Sequence, residues 1–323
     1  MTAWKETVGG RRALTILRSR PFLTVAIVAA VWIVASFVSR GFGAYGHLRY
    51  LVELAAVIGL VAAGQTFVVI AGGIDLSVAA IVTVSAVSLP LLSWQADPTG
   101  LTAVLAVLAL TTTIGLVNGL GVALLRVHPM IMTLAMATFL QGLLIIIAGG
   151  SAVTAENPLV RWIGNARPAG IPAGVLLWVA VSVIVLAAMH ATSFGARLFA
   201  MGANPLAATL SGVPFASTTL AVYGISGFTS GLAGVLVLGM NGQGYVGIGD
   251  PYLLASIAAV VLGGTSILGG LGTYAGTIPG AILLVTITAL ITVVNASPGW
   301  RSILFGSLIL GLLLLSGREQ ARR

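Results

Sequence analysis

The chain has no cysteine, a single lysine and three histidines, and only seven of its 323 residues are acidic. Each shortage excludes some chemistry. Without cysteine there are no disulfides, iron–sulfur clusters or cysteine-ligated zinc sites, although this leaves the compartment undecided. A phosphate-cradling P-loop needs a lysine after its glycine-rich turn, and the one lysine, Lys5, stands in a basic N-terminal arm. His47, His128 and His190 are scattered, with no H-E-x-x-H spacing for a zinc protease. The acids never pair at a spacing suited to general acid–base work, so an enzyme has no positive support. Charged residues make up 7% of the chain, against ~25% in a soluble domain. The formal charge of +8 is not a nucleic-acid signature, because the basic residues stand singly between apolar runs and at the two ends.

The chain is instead rich in apolar side chain: 58% of it is hydrophobic, with a mean hydropathy of +1.11. A soluble globule of this length cannot bury so much, so an all-α integral membrane protein is expected. Glycine is also abundant, 42 of 323 residues against a usual ~7%, as close helix packing requires. A helix that crosses a bilayer needs ~20 mostly apolar residues. Ten runs qualify: 21–39, 51–71, 76–96, 101–125, 129–149, 171–189, 214–240, 252–270, 275–296 and 302–316. Glycines interrupt the pattern around 72–77 and 263–276, so some of these helices are expected to be discontinuous. The runs are too long, and lack the period-2 alternation, for an outer-membrane barrel.

Orientation follows from Lys and Arg in the short loops. With ten spans both termini share one side. That side carries ten of the fifteen basic residues: Lys5, Arg11, Arg12, Arg18, Arg20, Arg126, Arg197, Arg318, Arg322 and Arg323. Arg40, Arg49, Arg161, Arg167 and Arg301 fall opposite, so the termini are expected in the cytoplasm. Trp94, Trp162 and Trp300 fall near outer boundaries, as interfacial aromatics do. The first run follows a basic segment, as in a signal peptide. Its 19 residues, the following Arg40 and the lack of a small-residue cleavage site fit an uncleaved first span better. The expected organisation is a basic arm over 1–20, one transmembrane domain over 21–317 and a basic tail over 318–323. Between His190 and Gly212 lies a long cytoplasmic stretch suited to a short amphipathic helix on the membrane surface. Outside, 150–170 is the largest loop.

The segment Ala63-Gly-Gln-Thr-Phe-Val-Val-Ile-Ala-Gly-Gly-Ile-Asp-Leu-Ser77 ends one apolar helix at Gly72 and Gly73 and opens another after Asp75 and Ser77. Two compatible readings stay open. One is a helix cap, with glycine making the C-terminal turn and Asp75 accepting orphan amide hydrogens. The other is a broken helix on a solute path, since irregular backbone at membrane depth is tolerated where it lines a cavity. Gln65 and Thr66 precede the break, and Asn118 and Gln141 fall inside other runs. Amides and hydroxyls suit a neutral polyol, but such residues equally bind neighbouring helices for about 1 kcal/mol each. Only Asp75 lies near a span interior, with Glu53 at a span start, which is thin equipment for proton or sodium coupling. A second glycine-rich segment runs from Val260 to Gly276. Its Gly272, Gly276 and Gly280 recur every four residues, as do Gly115/Gly119 and Gly227/Gly231, which predicts three packing faces.

Three segments, AAGQTFVVIAGGIDLSV (62–78), FGARLFAMGANPLAATLSGV (194–213) and SIAAVVLGGTSILGGLGTYAGTIPGA (256–281), resemble the permease subunits of ribose/xylose/galactose-type ABC importers. The resemblance runs over nearly the whole chain. It implies a subunit of about ten helices in the bacterial plasma (inner) membrane, paired with a second permease copy, identical or paralogous, in membrane lipid. A cytoplasmic ATPase using ATP and Mg would drive it, and an extracytoplasmic sugar-binding protein would deliver a pentose or hexose; this chain itself would bind no cofactor. The resemblance makes 194–212 the coupling segment, with Gly202, Asn204, Ala207, Leu210, Ser211 and Gly212 matching the family pattern. Pro205 and Thr209 stand where relatives often carry an acid and a base, and Leu253 and Ala255 where many carry two acids. Asp250, slightly upstream, is the candidate acid at the outer mouth, or an ordinary solvated loop residue. The candidate path comprises Gln65, Thr66, Gly72, Gly73, Asp75, Ser77, Asn118 and Gln141. Competing readings are a branched-chain amino-acid or nucleoside permease of the same superfamily, an ion-coupled carrier depending on Asp75, and a lipid-modifying enzyme, for which no nucleophile or metal cluster is found.

Overall fold

The computed structural model describes residues 20–39, 41–92, 97, 99–295, 297 and 299–320. Lys5 and the rest of the arm through residue 19, together with Arg40, Trp94, Arg322 and Arg323, lie outside the described residues. Away from water a helix satisfies each backbone N–H and C=O within its own segment, and the apolar runs fold accordingly. In chain order the helices are α1 (Arg20–Val38), α2 (Tyr45–Ile70), α3 (Val78–Leu92), α4 (Leu101–Ala123), α5 (Pro129–Ala148), α6 (Pro158–Asn165) and α7 (Ala173–His190). They continue with α8 (Ser193–Ala203), α9 (Pro205–Leu210), α10 (Phe215–Asn241), α11 (Asp250–Leu262), α12 (Tyr274–Val293) and α13 (Gly299–Gln320). Two short strands, β1 (Val153–Thr154) and β2 (Gln243–Gly244), pair antiparallel.

Among the described residues six helices, α2, α4, α5, α7, α10 and α12, are long and apolar enough to cross a membrane. Shorter apolar helices are Phe22–Phe37 within α1, α3 and α11. Each of the ten expected runs coincides with a helix, and the boundaries move where glycine intervenes. The expected run 252–270 is the largest departure: α11 stops at Leu262, and residues 263–273 have no regular structure apart from turns. α2 also starts earlier than expected, at Tyr45.

α2 and α10 are the central helices. Of their most apolar stretches, 94% and 78% are buried, against 22% for α5, which lies at the periphery. α10 packs on α4, α2 and α3, while α2 also meets α11, α12 and α7. Glycine sets how closely these helices approach. The Gly115/Gly119 face of α4 and the Gly227/Gly231 face of α10 are two sides of one interface. A Cβ on Gly115 would overlap the Tyr223 carbonyl oxygen, and one on Gly227 would overlap that of Thr111. Of the third expected face, Gly276 and Gly280 lie against the Gly263 and Ala259 carbonyls. Gly272 does not belong to that face: α12 begins only at Tyr274, and Gly272 lies in the preceding loop at φ 156°.

Both halves of the chain repeat one pattern. α2, α3 and α4 have 26, 15 and 23 residues, and α10, α11 and α12 have 27, 13 and 20. The two sets run in opposite directions. The end of α2 and the start of α10 line one cavity, so α2 approaches that end of the bundle and α10 leaves it. At the other end β1 and β2 tie the 150–170 loop to the turn after α10. Beside them, Asp97 accepts hydrogen bonds from the amides and hydroxyls of Thr99 and Thr102, which hold its carboxyl well below the usual carboxylate range.

Candidate functional site

The break between α2 and α3 is closed by its own backbone. Gly72 takes φ 87°, where a side chain would be strained, and the Gly72 and Gly73 amides donate to the Val69 and Val68 carbonyls at 2.9 Å. Both parts of the cap reading are present, because Asp75 Oδ1 accepts from the Ser77 amide at 2.9 Å. The same carboxylate does more. Oδ1 also accepts from the Ser77 hydroxyl at 2.6 Å, and Oδ2 from the Ser226 hydroxyl on α10 at 2.7 Å. Asn118 Nδ2 on α4 donates to Ser77 Oγ at 2.8 Å. Asp75, Ser77, Asn118 and Ser226 are all 0% exposed. Thr133 on α5 adds a fifth contact, accepting from the Leu76 amide at 3.0 Å. The break is thus tied to three separate helices at membrane depth.

Gln65 and Thr66 are placed in the same core but not in this network. Thr66 donates to the Ala62 carbonyl at 2.6 Å and pairs with the Thr277 hydroxyl on α12 at 3.2 Å. Gln65 is 0% exposed, and neither end of its amide has a partner among the described residues; Asn118 Oδ1 and the Tyr223 hydroxyl share that condition. Gln141 makes no hydrogen bond to these residues, although its cleft reaches Leu76 beside the break. It is exposed and lines a cleft of about 280 Å³ with Asp250 and Leu253. The one acid expected at the outer mouth and the one exposed amide of the candidate path therefore face the same cleft.

Below the break, three glycine segments converge. The loop between α11 and α12 reaches the end of α2, where the Gly270 amide donates to the Ile70 carbonyl at 2.9 Å. Gly202, near the end of α8, is pressed against both: a Cβ there would overlap Ile70 O and would lie 2.6 Å from Gly270 N. A Cβ on Gly269 would lie 2.9 Å from Gly202 O and 3.0 Å from the Gly72 Cα, and one on Gly270 would lie 2.7 Å from the Ala203 Cα. Main chain meets main chain here, without intervening side chains.

α8 and α9 form the segment expected to lie along the surface at 190–212. Asn204 separates them and caps α9, its Oδ1 accepting from the Ala207 amide at 3.0 Å. Gly212 closes α9 at φ 84°, with Val213 N donating to Ala208 O at 3.0 Å. Asn204, Ala207, Ser211 and Gly212 are exposed, and Leu206 and Leu210 are 71% and 81% exposed. Gly202 differs from the other residues expected to couple in being half-buried in the glycine junction. Between this segment, the Arg126–Pro129 turn and the break at Gly72–Gly73 lies a cavity of about 660 Å³.

Several partners carry no signal in the sequence. Ser226, Thr133 and Thr277 look like ordinary span hydroxyls until the fold brings them to Asp75, Leu76 and Thr66. Trp178 on α7 donates to the Tyr274 hydroxyl at 2.8 Å, which donates on to the Gly59 carbonyl at 2.8 Å, joining α7, α12 and α2. Glu53 is buried and faces Arg167 of the 150–170 loop at 3.6 Å. It is therefore a paired charge rather than a free one.

Apolar helices interrupted at glycine loops, with those loops meeting under an exposed helix pair, define a multi-pass helical membrane protein. The chain belongs to the family described as branched-chain amino acid transport system / permease component, whose model matches residues 48–313. It is 32% identical over 326 residues to the ribose import permease protein RbsC of Escherichia coli (strain K12), covering 98% of this chain and 99% of the relative. It is 32% identical to the RbsC of Bacillus subtilis (strain 168), over 93% of both chains. It is 30% identical to the L-arabinose transport system permease protein AraH of E. coli (strain K12), over 92% and 90%.

Proposed function

We propose that this chain is the permease subunit of an ATP-driven importer that carries a monosaccharide, delivered by an extracytoplasmic binding protein, across the bacterial inner membrane. The observation that carries this reading is the near full-length similarity to permeases named for ribose and L-arabinose. A cytoplasmic ATPase would supply ATP and Mg chemistry, and a second permease copy, identical or paralogous, would complete the path. The charge asymmetry of the loops supports cytoplasmic termini. The exposed leucines of α9 supply an apolar face on which an ATPase groove would close. The 150–170 loop and the turn around 241–251, joined by β1 and β2, offer one surface for the binding protein. Among the described residues the buried acids, Glu53 and Asp75, are an ion pair and a hydrogen-bonded anchor, which favours partner-driven over ion-driven transport.

The test is uptake by proteoliposomes containing this chain, its ATPase and its binding protein, with ribose, xylose, arabinose and galactose compared with leucine and a nucleoside. Accumulation of one sugar that requires both ATP and the binding protein is expected. Uptake by this chain alone, without either, would overturn the reading, and ATP-dependent uptake of leucine would replace the solute. Replacing Ser211 and Gly212 with bulky charged residues should abolish uptake while membrane insertion, followed by fractionation, is unchanged.

A further inference from the structure

The chain that follows α10 turns back into the bundle along α3. A Cβ on Gly244 would overlap the Ala86 carbonyl oxygen, and one on Gly249 would overlap that of Ala79. The Gly249 amide donates to Thr83 Oγ1 at 3.1 Å, and α11 begins at the next residue, Asp250. At 1.5 Å per residue, Asp250 thus stands level with positions about 14–20 Å below the end of α3 at Leu92. Gln141, which lines the same cleft, lies about 18 Å along α5 from Pro129 and about 10 Å short of Ala148. An exposed carboxylate and an exposed carboxamide therefore face one cleft at mid-membrane depth. The described residues give neither side chain a hydrogen-bond or ionic partner. Acyl chains are a poor cover for this cleft, because acids within spans face the bundle interior or a water-filled cavity. At about 280 Å³ the cleft has room for several waters, each of which takes ~30 Å³.

The side chains also limit what the cleft can hold. A carboxylate only accepts hydrogen bonds, and an amide both donates and accepts. No Lys, Arg or His lines the cleft, so an anion would meet repulsion from Asp250 and no opposite charge. Calcium takes six to eight oxygens, and no three His, Cys, Asp or Glu come together among the described residues. No aromatic ring lines the cleft to receive an alkylammonium group. Hydroxyls meet each requirement: two on neighbouring carbons can donate to the two oxygens of one carboxylate, and a third can accept from the amide. We propose that Asp250 and Gln141 form a mid-membrane contact for the hydroxyls of a neutral polyol, on a water-filled path along the α3–α5–α11 face of this subunit. The path rests on the sugar-import reading above, whereas the preference for hydroxyls comes from the cleft itself. The proposal goes further by naming residues that touch the solute between entry and exit.

The experiment uses the complete reconstituted transporter. With Gln141→Cys as the only cysteine in the permease, a small water-soluble methanethiosulfonate should react roughly a hundredfold faster than with Val183→Cys, because only a thiol in water ionises freely. Val183 is an exposed apolar position at similar depth on α7. Equally slow reaction of both, with and without ATP, places the cleft against lipid and overturns the proposal. The second arm measures the maximal uptake rate with saturating loaded binding protein, for the imported sugar and its monodeoxy analogues. Asp250→Ala should lower the rate for the parent sugar by about tenfold or more, the scale of one hydrogen bond to a charged group. For the analogue that lacks the contacted hydroxyl, the wild type should be slowed and Asp250→Ala should add no further loss. An equal loss on every analogue marks a structural role only and overturns the contact. Should Asp250→Ala fail to assemble, Gln141→Ala read in the same way decides. A requirement for external sodium or calcium that Asp250→Ala removes overturns the polyol in favour of a cation. Each of these failures leaves the import reading standing, whereas import of no sugar by the wild-type complex overturns both.

Discussion

Asp75 is the residue on which the carrier and permease readings part. An ion-coupled protein needs its buried acid free to gain and lose a cation, whereas here three donors converge on both oxygens of the carboxylate. Its removal leaves the Ser77 amide and two hydroxyls without an acceptor in a water-free core. Asp75→Ala should therefore destabilise the folded protein by about 1–3 kcal/mol, read as a lower unfolding midpoint in detergent. Uptake by the assembled wild type should be indifferent to collapse of the proton or sodium gradient while ATP is present. Gly202 makes the opposite kind of prediction. A single methyl at this position has no space between Ile70 O and Gly270 N, so Gly202→Ala must push α8 away from both loops. Uptake should fall by about tenfold or more, the scale of 1–3 kcal/mol of overpacking. Co-purification with the ATPase should persist, because the exposed face of α9 is unchanged.

At the scale of elements, the α4–α10 interface has little tolerance for volume. Gly227→Leu should separate the two helices and lower stability by about 1–3 kcal/mol or more, measured as loss of monodisperse protein on heating. The same substitution at Gly142, which has nothing within 4 Å of a built Cβ, should leave stability unchanged. These elements also show how far the sequence could be read. Helices were legible because an apolar run in lipid has few other ways to satisfy its backbone. The break at Gly72–Gly73 was legible because the glycines, the aspartate and the serine that make it are consecutive. The spacing of Gly115/Gly119 and Gly227/Gly231 marks two packing faces, but not that each is the other's partner, which depends on the arrangement of whole helices. Polar residues within runs were legible as a class and not as a set. Asn118 belongs to the Asp75 network and Gln141 to the exposed cleft that Leu76 and Ala79 also line, yet both look alike in the chain.

For the whole molecule, the opposed directions of the two long–short–long helix sets give the bundle two unlike ends. One gathers the glycine junction, the α8–α9 segment and the Arg126 turn. The other gathers β1, β2 and the Glu53–Arg167 pair. Because the chain contains no cysteine, single introduced thiols report which end faces which side. In intact cells Tyr245→Cys should react with an impermeant maleimide, and Ser211→Cys should react only after the membrane is opened; the reverse pattern would invert the topology. The contact among Ile70, Gly202 and Gly270 has a consequence for how such proteins diversify. A joint made of main chain alone reads no side-chain identity, so a push passed through it would be the same whatever solute waited at the far end. Preference and drive would then be separable, and a graft of the helix ends opposite the junction from a relative should exchange one cargo for another without retuning the machinery beneath.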